Sequence, residues 1–283
     1  MKLNDRALLV SLGVSEWTAK KMDKRATKQV NDGNHASSKA GRYNKSLFPM
    51  NDLLENVHGK TRVIRAELAK NTLPWGIDGT RILPSKNYLT FMTQFRRERG
   101  EWQTMVNEFL DNYDVLVAES RRWLGNLYDP KDYPALSEVQ RKFNMDMAVL
   151  PVPTADFRVQ LADEEVERLQ EELEGRMKTV QQEAMSDCWH RLHKHVDHMV
   201  SKLADPAAIF RDSMIENARE TCDLLTRLNI SDDPNLEAMR QSVESKLLSH
   251  HPDALRNDLD LRADAAAEAR KIMDAMSVFM GTN

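Results

Sequence analysis

A heptad pattern of apolar side chains runs from Tyr88 to Trp123 and constrains the fold more than any other feature of this sequence. Its positions alternate spacings of four and three through ten steps that cover 35 residues, which is the 3.5-residue period of a coiled-coil seam. Nine of the eleven positions are apolar or aromatic, and the exceptions are Arg99 and Ser120. The pattern predicts one long helix with a buried seam, in which Gly100 marks the position most prone to kink.

A second apolar stripe predicts another long helix, from about Asp163 to Ala204. The stripe runs from Val166 to Leu203 in ten steps that cover 37 residues, and this longer period favours a straight or slightly right-handed helix. Acidic residues in the first turn suit the positive end of the helix dipole. Because two helices of about forty residues would each be about 60 Å long, the sequence predicts a mainly α protein, an elongated antiparallel helical bundle or coiled coil.

The positions of glycine, proline and helix-capping residues predict how the rest of the chain is organised. Only ten glycines and ten prolines occur in 283 residues, which is typical of long helices. Residues 51–70 are predicted to be helical, residues 71–85 to form an ordered loop, and Asp233 with Pro234 to begin another helix. The runs "MAVLPV" and "FRVQL" within residues 145–161 predict a small β-hairpin-like insertion. We therefore divide the chain into a basic N-terminal helix and linker (1–50), a long-helix coiled-coil core (51–204) and a C-terminal helical subdomain (205–283).

Charge is distributed unevenly along the chain. Residues 1–70 carry fourteen Lys and Arg against seven Asp and Glu, and since the whole chain has a net charge of −4, the remainder sums to −11. With Ser15 as N-cap, the sequence predicts a helix with one cationic face, followed by a basic linker over residues 31–46.

The cationic face is a candidate nucleic-acid-binding surface. Lysines one helical turn apart can follow a phosphate backbone, and the interleaved aromatic residues can stack on bases. The candidate residues are Lys20, Lys21, Lys24, Arg25, Lys28 and Arg42. Two alternatives remain open: a solvated face, or a face that docks on the acidic half of a neighbouring subunit.

Four of the eight histidines lie in the stretch from Cys188 to Met199. A metal-dependent hydrolase is one interpretation, and its weak candidate ligands are His190, His193, Asp197 and His198. These imidazoles do not converge on one helix face as the pair of an HExxH helix does. We therefore interpret them as solvated or interfacial histidines and predict no metal and no cofactor.

Common catalytic signatures are absent, because no GxxxxGK[ST], GxGxxG, GxSxG or HExxH occurs. The sequence therefore favours a non-enzymatic protein, although unfamiliar catalysis is not excluded. No apolar run approaches the roughly 18 residues that cross a bilayer, and "ALLVSLGV" lacks a cleavage site, so we expect no membrane partner. The two cysteines, Cys188 and Cys222, show no disulfide-framework spacing, which favours the cytoplasm.

Four runs of this sequence resemble an uncharacterised bacteriophage protein family that carries a domain-of-unknown-function label. The runs are "VSEWTAKKMDKRAT", "NTLPWGIDGT", "RKFNMDMAVLPVPTADFRVQL" and "DPNLEAMRQSVESKL", and the resemblance covers most of the chain. Members of that family tend to be encoded near a MoxR-type AAA+ ATPase and a von Willebrand A-type protein. The resemblance implies an adaptor or substrate of such a remodelling system in an infected bacterial host, and it assigns no catalytic residue.

These observations predict a non-enzymatic helical protein that acts by self-association and partner binding. A homo-oligomer is expected, with an AAA+ ATPase as a candidate partner, while nucleic-acid binding and metal-dependent hydrolysis remain as alternatives. The residues predicted to mediate assembly are Phe95, Trp102, Phe109, Trp123, Leu169 and Leu173.

Overall fold

The protein is mainly helical, as the sequence predicts. The structure is a computed structural model that describes residues 3–49, 52–76, 79–154, 162–205, 208 and 210–280, and helices account for 69% of it. The α-helices of these described residues are α1 (Lys24–Gly33), α2 (Asp52–Asn71), α3 (Ser85–Asp111), α4 (Tyr113–Leu124), α5 (Leu136–Gln140), α6 (Asp163–Ala204), α7 (Asp212–Leu228), α8 (Pro234–Lys246), α9 (Pro252–Asn257) and α10 (Leu259–Met280). None of the described helices combines the length and the apolar character that would let it cross a membrane.

The described strands form two sheets, which is more β structure than the predicted hairpin. They are β1 (Ala7–Ser15), β2 (Lys20–Met22), β3 (Asn44–Ser46), β4 (Leu73–Pro74), β5 (Thr80–Pro84) and β6 (Asn144–Pro151). The larger sheet has the order β4-β5-β1-β6, and β2 pairs with β3 in a separate antiparallel pair. The run "MAVLPV" lies in β6, whereas "FRVQL" falls outside the described residues.

Strand β1 is one of the strands that the sequence analysis missed. It contains the apolar run "ALLVSLGV" and lies between β5 and β6. Its pairing with β5 is antiparallel, from Ala7 opposite Pro84 to Ser11 opposite Thr80. The prediction of an ordered loop over residues 71–85 missed two strands, because this segment contains β5, the partner of β1, and the short strand β4 beside it.

The contacts within the chain divide it into two compact units. The larger unit comprises Met1–Ser11, Leu68–Phe91 and Val149–Asn283, and the smaller unit comprises Leu12–Glu67 and Met92–Ala148. Both units are discontinuous in sequence. Neither predicted domain boundary, at residue 50 or at residue 204, coincides with a boundary of these units.

The core of the larger unit forms where α10 packs along α6. The bounds of α6 match the predicted helix, and its apolar stripe is buried from Val180 onward. Two contacts show that α10 runs antiparallel to α6: Trp189 stacks on Phe279 with 5.1 Å between ring centroids, and Arg262 lies at the carboxyl end of α6. Buried Arg262 donates hydrogen bonds to the carbonyls of four residues, Lys202, Leu203, Asp205 and Ala208, so it satisfies acceptors that a helix end leaves unpaired.

The predicted helix from Tyr88 to Trp123 is wrong as a continuous element, because α3 ends at Asp111 and α4 begins at Tyr113. Between them, the Asn112 side chain donates to the Glu108 carbonyl at 2.9 Å, and such local bonds compete with helix continuation. The seam itself is largely confirmed as a buried face. Its buried members are Met92, Phe95, Trp102, Val106, Phe109, Tyr113, Leu116 and Ser120.

Aromatic side chains from a loop, rather than a second long helix, cover the end of this seam in the smaller unit. Phe48 packs edge-on against Phe109 and Tyr113, with ring centroids 5.9 and 6.0 Å apart, and Trp17 lies 6.1 Å from Tyr113. Such aromatic pairs add to the free energy gained from burial alone. The predicted coiled coil is therefore not what buries this part of the seam.

A buried lysine ties the predicted linker to the rest of the smaller unit. Lys45 is only 5% exposed, and its ammonium group lies 2.7 Å from Asp132 and 3.1 Å from Asp23. Burial works to lower the pKa of Lys45, but the hydrogen bonds to the two carboxylates outweigh it and the pKa is raised. Residues 31–46 are thus not a simple linker, since the end of α1 and the whole of β3 lie within them.

We predict that Lys45→Ala lowers the free energy of unfolding by about 3 kcal/mol, because it leaves two carboxylates in a buried site without their cation. Urea denaturation followed by circular dichroism measures this change. Lys39→Ala removes the same charge from an exposed position and should change stability by less than about 0.5 kcal/mol. Equal effects of the two substitutions would contradict a structural role for the buried cluster.

Candidate functional site

The predicted cationic helix face does not form. Ser15 ends β1 instead of capping a helix, and Lys20 and Lys21 lie on β2. Helix α1 begins at Lys24, where Asp23 is the N-cap and accepts a hydrogen bond from the amide of Ala26 at 2.9 Å. Because the candidate cations are divided between a strand and a helix, they do not share one helical face, and that prediction is wrong.

Several of these cations have partners within the smaller unit. Lys21 lies 3.5 Å from Asp132, and Lys28 lies 2.7 Å from Asp32. Arg25 donates to the carbonyl of Asn126 at 2.9 Å. In contrast, the exposed side chains of Lys24 and Arg42 form no ion pair with any described residue. Charge alone therefore does not identify which of the cations are available to a ligand.

Exposed apolar side chains accompany the cations around α1. Met22 is 38% exposed, Tyr43 40% and Val30 52%. The backbone of Tyr43 is held beside α1, because its amide donates to Thr27 Oγ1 and its carbonyl accepts from the amide of Asp23, both at 2.9 Å. We call the surface made by Met22, Lys24, Lys28 and Tyr43 the basic patch.

An apolar stripe of opposite electrostatic character lies on the first part of α6. Residues Asp163–Lys178 carry seven acidic and three basic side chains, and we call this segment the acidic arm. Its stripe residues Val166, Leu169 and Leu173 are half-buried, and none of them belongs to the described core cluster of the larger unit. The acidic arm therefore combines net negative charge with an incompletely covered apolar edge.

The smaller unit also contains a half-open cleft of about 670 Å³. One wall is a face of α2 that presents Glu55, His58, Arg62 and Arg65 at spacings of three, four and three residues, which places them on one side of a helix. Arg62 and Arg65 were not among the candidates. The signal that could have identified them is their i, i+3 spacing in "TRVIRAE" within the basic first 70 residues.

Residues 16–19, of which all but Trp17 line the cleft, are held by contacts to three other segments. Glu16 accepts hydrogen bonds from the Thr61 hydroxyl and, at 3.1 Å, from Trp102 Nε1. His58 Nε2 lies 3.2 Å from the carbonyl of Trp17. Buried Ala19 has a φ of +49° and accepts from the amide of Leu47 at 2.8 Å. A non-glycine residue in this left-handed region costs about 1 kcal/mol or more, so the surrounding contacts fix the shape of this segment.

Free cations and an exposed aromatic ring meet at this cleft. Lys20 and Arg65 are exposed and form no ion pair within the described part of the chain, while Arg62 lies 3.9 Å from Glu55. The Trp123 side chain also lines the cleft and is 49% exposed. Of the predicted nucleic-acid-binding residues, the structure places Lys20 in this cleft, together with cations that the sequence analysis did not select.

The histidine-rich stretch lies on α6 in the larger unit. His190 and His198 are exposed, while His195 is half-buried with Nε2 at 2.9 Å from Thr221 Oγ1. Among the described residues, no three His, Cys, Asp or Glu side chains are grouped so that they could hold a metal ion. The weak candidates His190, His193, Asp197 and His198 are therefore not brought together as a ligand set.

Neighbours of the histidines serve the fold. Arg191 donates to the carbonyls of Ala69 and Thr72 at 3.0 and 2.7 Å and pairs with Asp187 at 2.7 Å. Cys188 is fully buried, and burial raises the pKa of its thiol to about 12. A thiol with such a pKa is a poor nucleophile, so Cys188 is part of the packing of α6.

The residues predicted to mediate assembly fall into two groups. Phe95, Trp102 and Phe109 are each at most 5% exposed within the chain's own core, so they offer no surface to a second copy in this conformation. Trp123, Leu169 and Leu173 retain exposed surface. Only the second group can take part in binding without unfolding.

We predict that His195 makes the larger unit sensitive to acid. Burial, followed by the nearby charges of Lys194 and His198, lowers the pKa of His195. Protonation of His195 is therefore more favourable in the unfolded chain than in the folded chain. The neutral imidazole stabilises the fold above about pH 6.5, and this contribution is lost as the pH falls through the lower pKa of the folded state. His195→Gln should lose less thermal stability than the wild type between about pH 7 and about pH 5.

Circular dichroism melting at the two pH values measures this difference. The same series on His190→Gln, which removes an exposed histidine from α6, reports the effect of losing an imidazole from the helix surface. If the melting temperatures of His195→Gln and the wild type fall by the same amount on acidification, His195 is not the group responsible for the acid sensitivity.

Comparisons of this chain with protein-family models, with curated proteins and with solved structures find no match. The candidate functional surfaces of the protein are therefore the acidic arm, the basic patch and the cleft.

Proposed function

We propose that the protein acts without catalysis, as a self-associating scaffold or adaptor in which the acidic arm of one copy binds the basic patch of a second copy. The observation that carries this proposal is the half-buried stripe of Val166, Leu169 and Leu173 on a segment rich in acidic residues. An exposed apolar stripe flanked by charge is typical of a protein-binding helix.

The lengths of α6 and α10 explain why no part of α10 covers this stripe. Helix α6 has 42 residues and α10 has 22, which correspond to about 63 Å and about 33 Å. The antiparallel pairing joins Arg262 to the end of α6 and Phe279 to Trp189. Helix α10 ends one residue after Phe279, so it does not reach the acidic arm.

The negative charge of the acidic arm favours a basic surface as its binding partner. The arm has a net charge of −4 from seven acidic and three basic residues, so pairing two arms would bring like charges together. The basic patch offers the opposite sign through Lys24 and through Lys28, which is already paired with Asp32, and it exposes the apolar side chains of Met22 and Tyr43. Arm and patch are thus complementary in both charge and apolar character.

A contact between two different surfaces of the same chain is heterologous. Each copy retains one free arm and one free patch after the first contact, so the chain forms a ring or a filament. This arrangement would present repeated copies to a further partner, which is the behaviour of a scaffold. An AAA+ ATPase as that partner stays a prediction from the family resemblance.

Light scattering after size exclusion tests the proposed contact. The wild type should form concentration-dependent oligomers that weaken at high salt, because exposed charges are screened. Leu169→Asp and Lys24→Glu should each raise the dissociation constant about 10-fold or more, as the loss of a central interface side chain does. Leu89→Asp, at a position that is 77% exposed on α3, is the matched control and should associate like the wild type.

Mixing the two defective variants identifies the head-to-tail arrangement. Leu169→Asp retains an intact patch and Lys24→Glu retains an intact arm, so an equimolar mixture should form a heterodimer and nothing larger. A wild type that remains monomeric at every concentration contradicts the proposal. So does a mixture in which no heterodimer forms although each variant is folded.

A further inference from the structure

We infer that the cleft of the smaller unit binds a nucleotide unit, with its base stacked on Trp123 and its phosphate held by Lys20, Arg62 and Arg65. This site shares no residue with the acidic arm or the basic patch, and ligand binding at it does not require self-association. The ligand chemistry has two sources, a segment of single-stranded nucleic acid or a free nucleotide, and the experiment distinguishes them.

The size and shape of the cleft suit this ligand. Its volume of about 670 Å³ lies in the range of small-molecule binding sites. The cleft is half-open, so a nucleotide can enter it while the rest of a strand continues outside. Its walls come from β1, β2, β3, α2, α4 and the loops beside them.

Three cations that have few carboxylate partners within the described chain supply the phosphate contacts. Arg62 and Arg65 lie three residues apart on α2, and Lys20 of β2 lines the same cleft. Arginine matches the geometry of phosphate with two parallel N–H donors. Lys20 and Arg65 have no ion-pair partner among the described residues, so a phosphate would not have to displace a carboxylate from them.

The two acidic residues of the cleft are engaged by other groups. Glu16 accepts from the Thr61 hydroxyl and from Trp102 Nε1, and Glu55 lies 3.9 Å from Arg62. The Lys, Arg and Glu side chains that line the cleft are three cations and two carboxylates, which leaves a small positive charge. Arg121 and Arg122, exposed beside Trp123 on α4, add to the positive potential near the cleft.

Trp123 distinguishes this site from a general anion site. A tryptophan that is 49% exposed at the edge of a cationic cleft offers a π face to a base, and such stacking contributes about 1–3 kcal/mol per base. The adjoining wall is already ordered by the contacts of Glu16, Trp17 and Ala19. Preorganisation of this kind reduces the entropy lost on binding.

Tryptophan fluorescence and anisotropy titrations of the full chain test this inference. The probes are fluorescein-labelled oligothymidylate, thymidine monophosphate, and a duplex of the same strand. At about 20 mM salt, the oligonucleotide should bind and quench fluorescence, and its affinity should fall as salt rises. Trp123→Ala should weaken binding about 10-fold or more, while Trp123→Phe, which retains a stacking ring, should restore much of the loss.

Matched controls separate the cleft from the rest of the surface. Arg65→Ala should weaken binding and flatten its salt dependence, whereas Arg99→Ala, at an exposed position of α3 in the same unit, should do neither. Val115→Ala is the control for Trp123→Ala, because Val115 is 57% exposed on the same helix. Lys24→Glu, which disrupts the basic patch, should leave much of the binding to the cleft intact.

Each outcome decides between the sources or against the site. Binding of the oligonucleotide alone assigns single-stranded nucleic acid, and equal binding of the monophosphate assigns a free nucleotide. The inference is overturned if no probe binds at low salt. It is also overturned if the duplex binds best, or if Trp123→Ala and Arg65→Ala bind like the wild type while their circular dichroism spectra are unchanged.

Discussion

The architecture of the larger unit depends on a mismatch in length between two paired helices. Helix α10 can cover only the carboxyl-terminal half of α6, because it has 22 residues against 42. Arg262 fixes the register at one end by donating to the last carbonyls of α6, and the stack of Phe279 on Trp189 fixes it at the other. The covered half of α6 is therefore committed to the core. The acidic arm is not paired with α10, and its apolar edge stays half-buried, which is the reason for proposing it as a binding surface.

The basic end of the chain shows why net charge is a weak guide to function. Its cations occupy three different situations in the smaller unit. Lys45 is buried between two carboxylates, Lys28 pairs with Asp32 at the surface, and Arg65 has no acidic partner in the described residues. Only the last kind can contribute fully to a phosphate site. The predicted helix face does not form, so the candidate nucleic-acid site is instead the cleft, which is built from separate segments.

What the sequence could predict is what is encoded locally. The bounds of α6, the helix α2 and the start of α8 at Pro234 after its cap Asp233 all follow from periodicity and capping within one segment. The heptad pattern identified the buried face of α3 and α4. It did not reveal that the helix is interrupted at Asn112, because the apolar spacing continues across the interruption. The sheet could not be predicted, because a short apolar run fits a strand or a helix and the partner of Ala7 is Pro84, far along the chain. The cleft joins residues of β1, β2, β3, α2, α4 and the loops beside them, so no single stretch contains its signal.

The two proposed surfaces cannot be independent of each other. Lys20 of the cleft and Met22 of the basic patch are two residues apart on β2, and alternate residues of a strand point to the same side. An acidic arm docked on the patch would place negative charge beside the phosphate position, so arm docking and phosphate binding should oppose each other. Coupling of this kind is reciprocal: oligonucleotide should dissociate the oligomer, and oligomerisation should weaken oligonucleotide binding. Light scattering with and without oligothymidylate measures it, with Trp123→Ala as the control that should dissociate less. If the oligomer instead becomes larger in the presence of the oligonucleotide, arm docking and phosphate binding do not oppose each other.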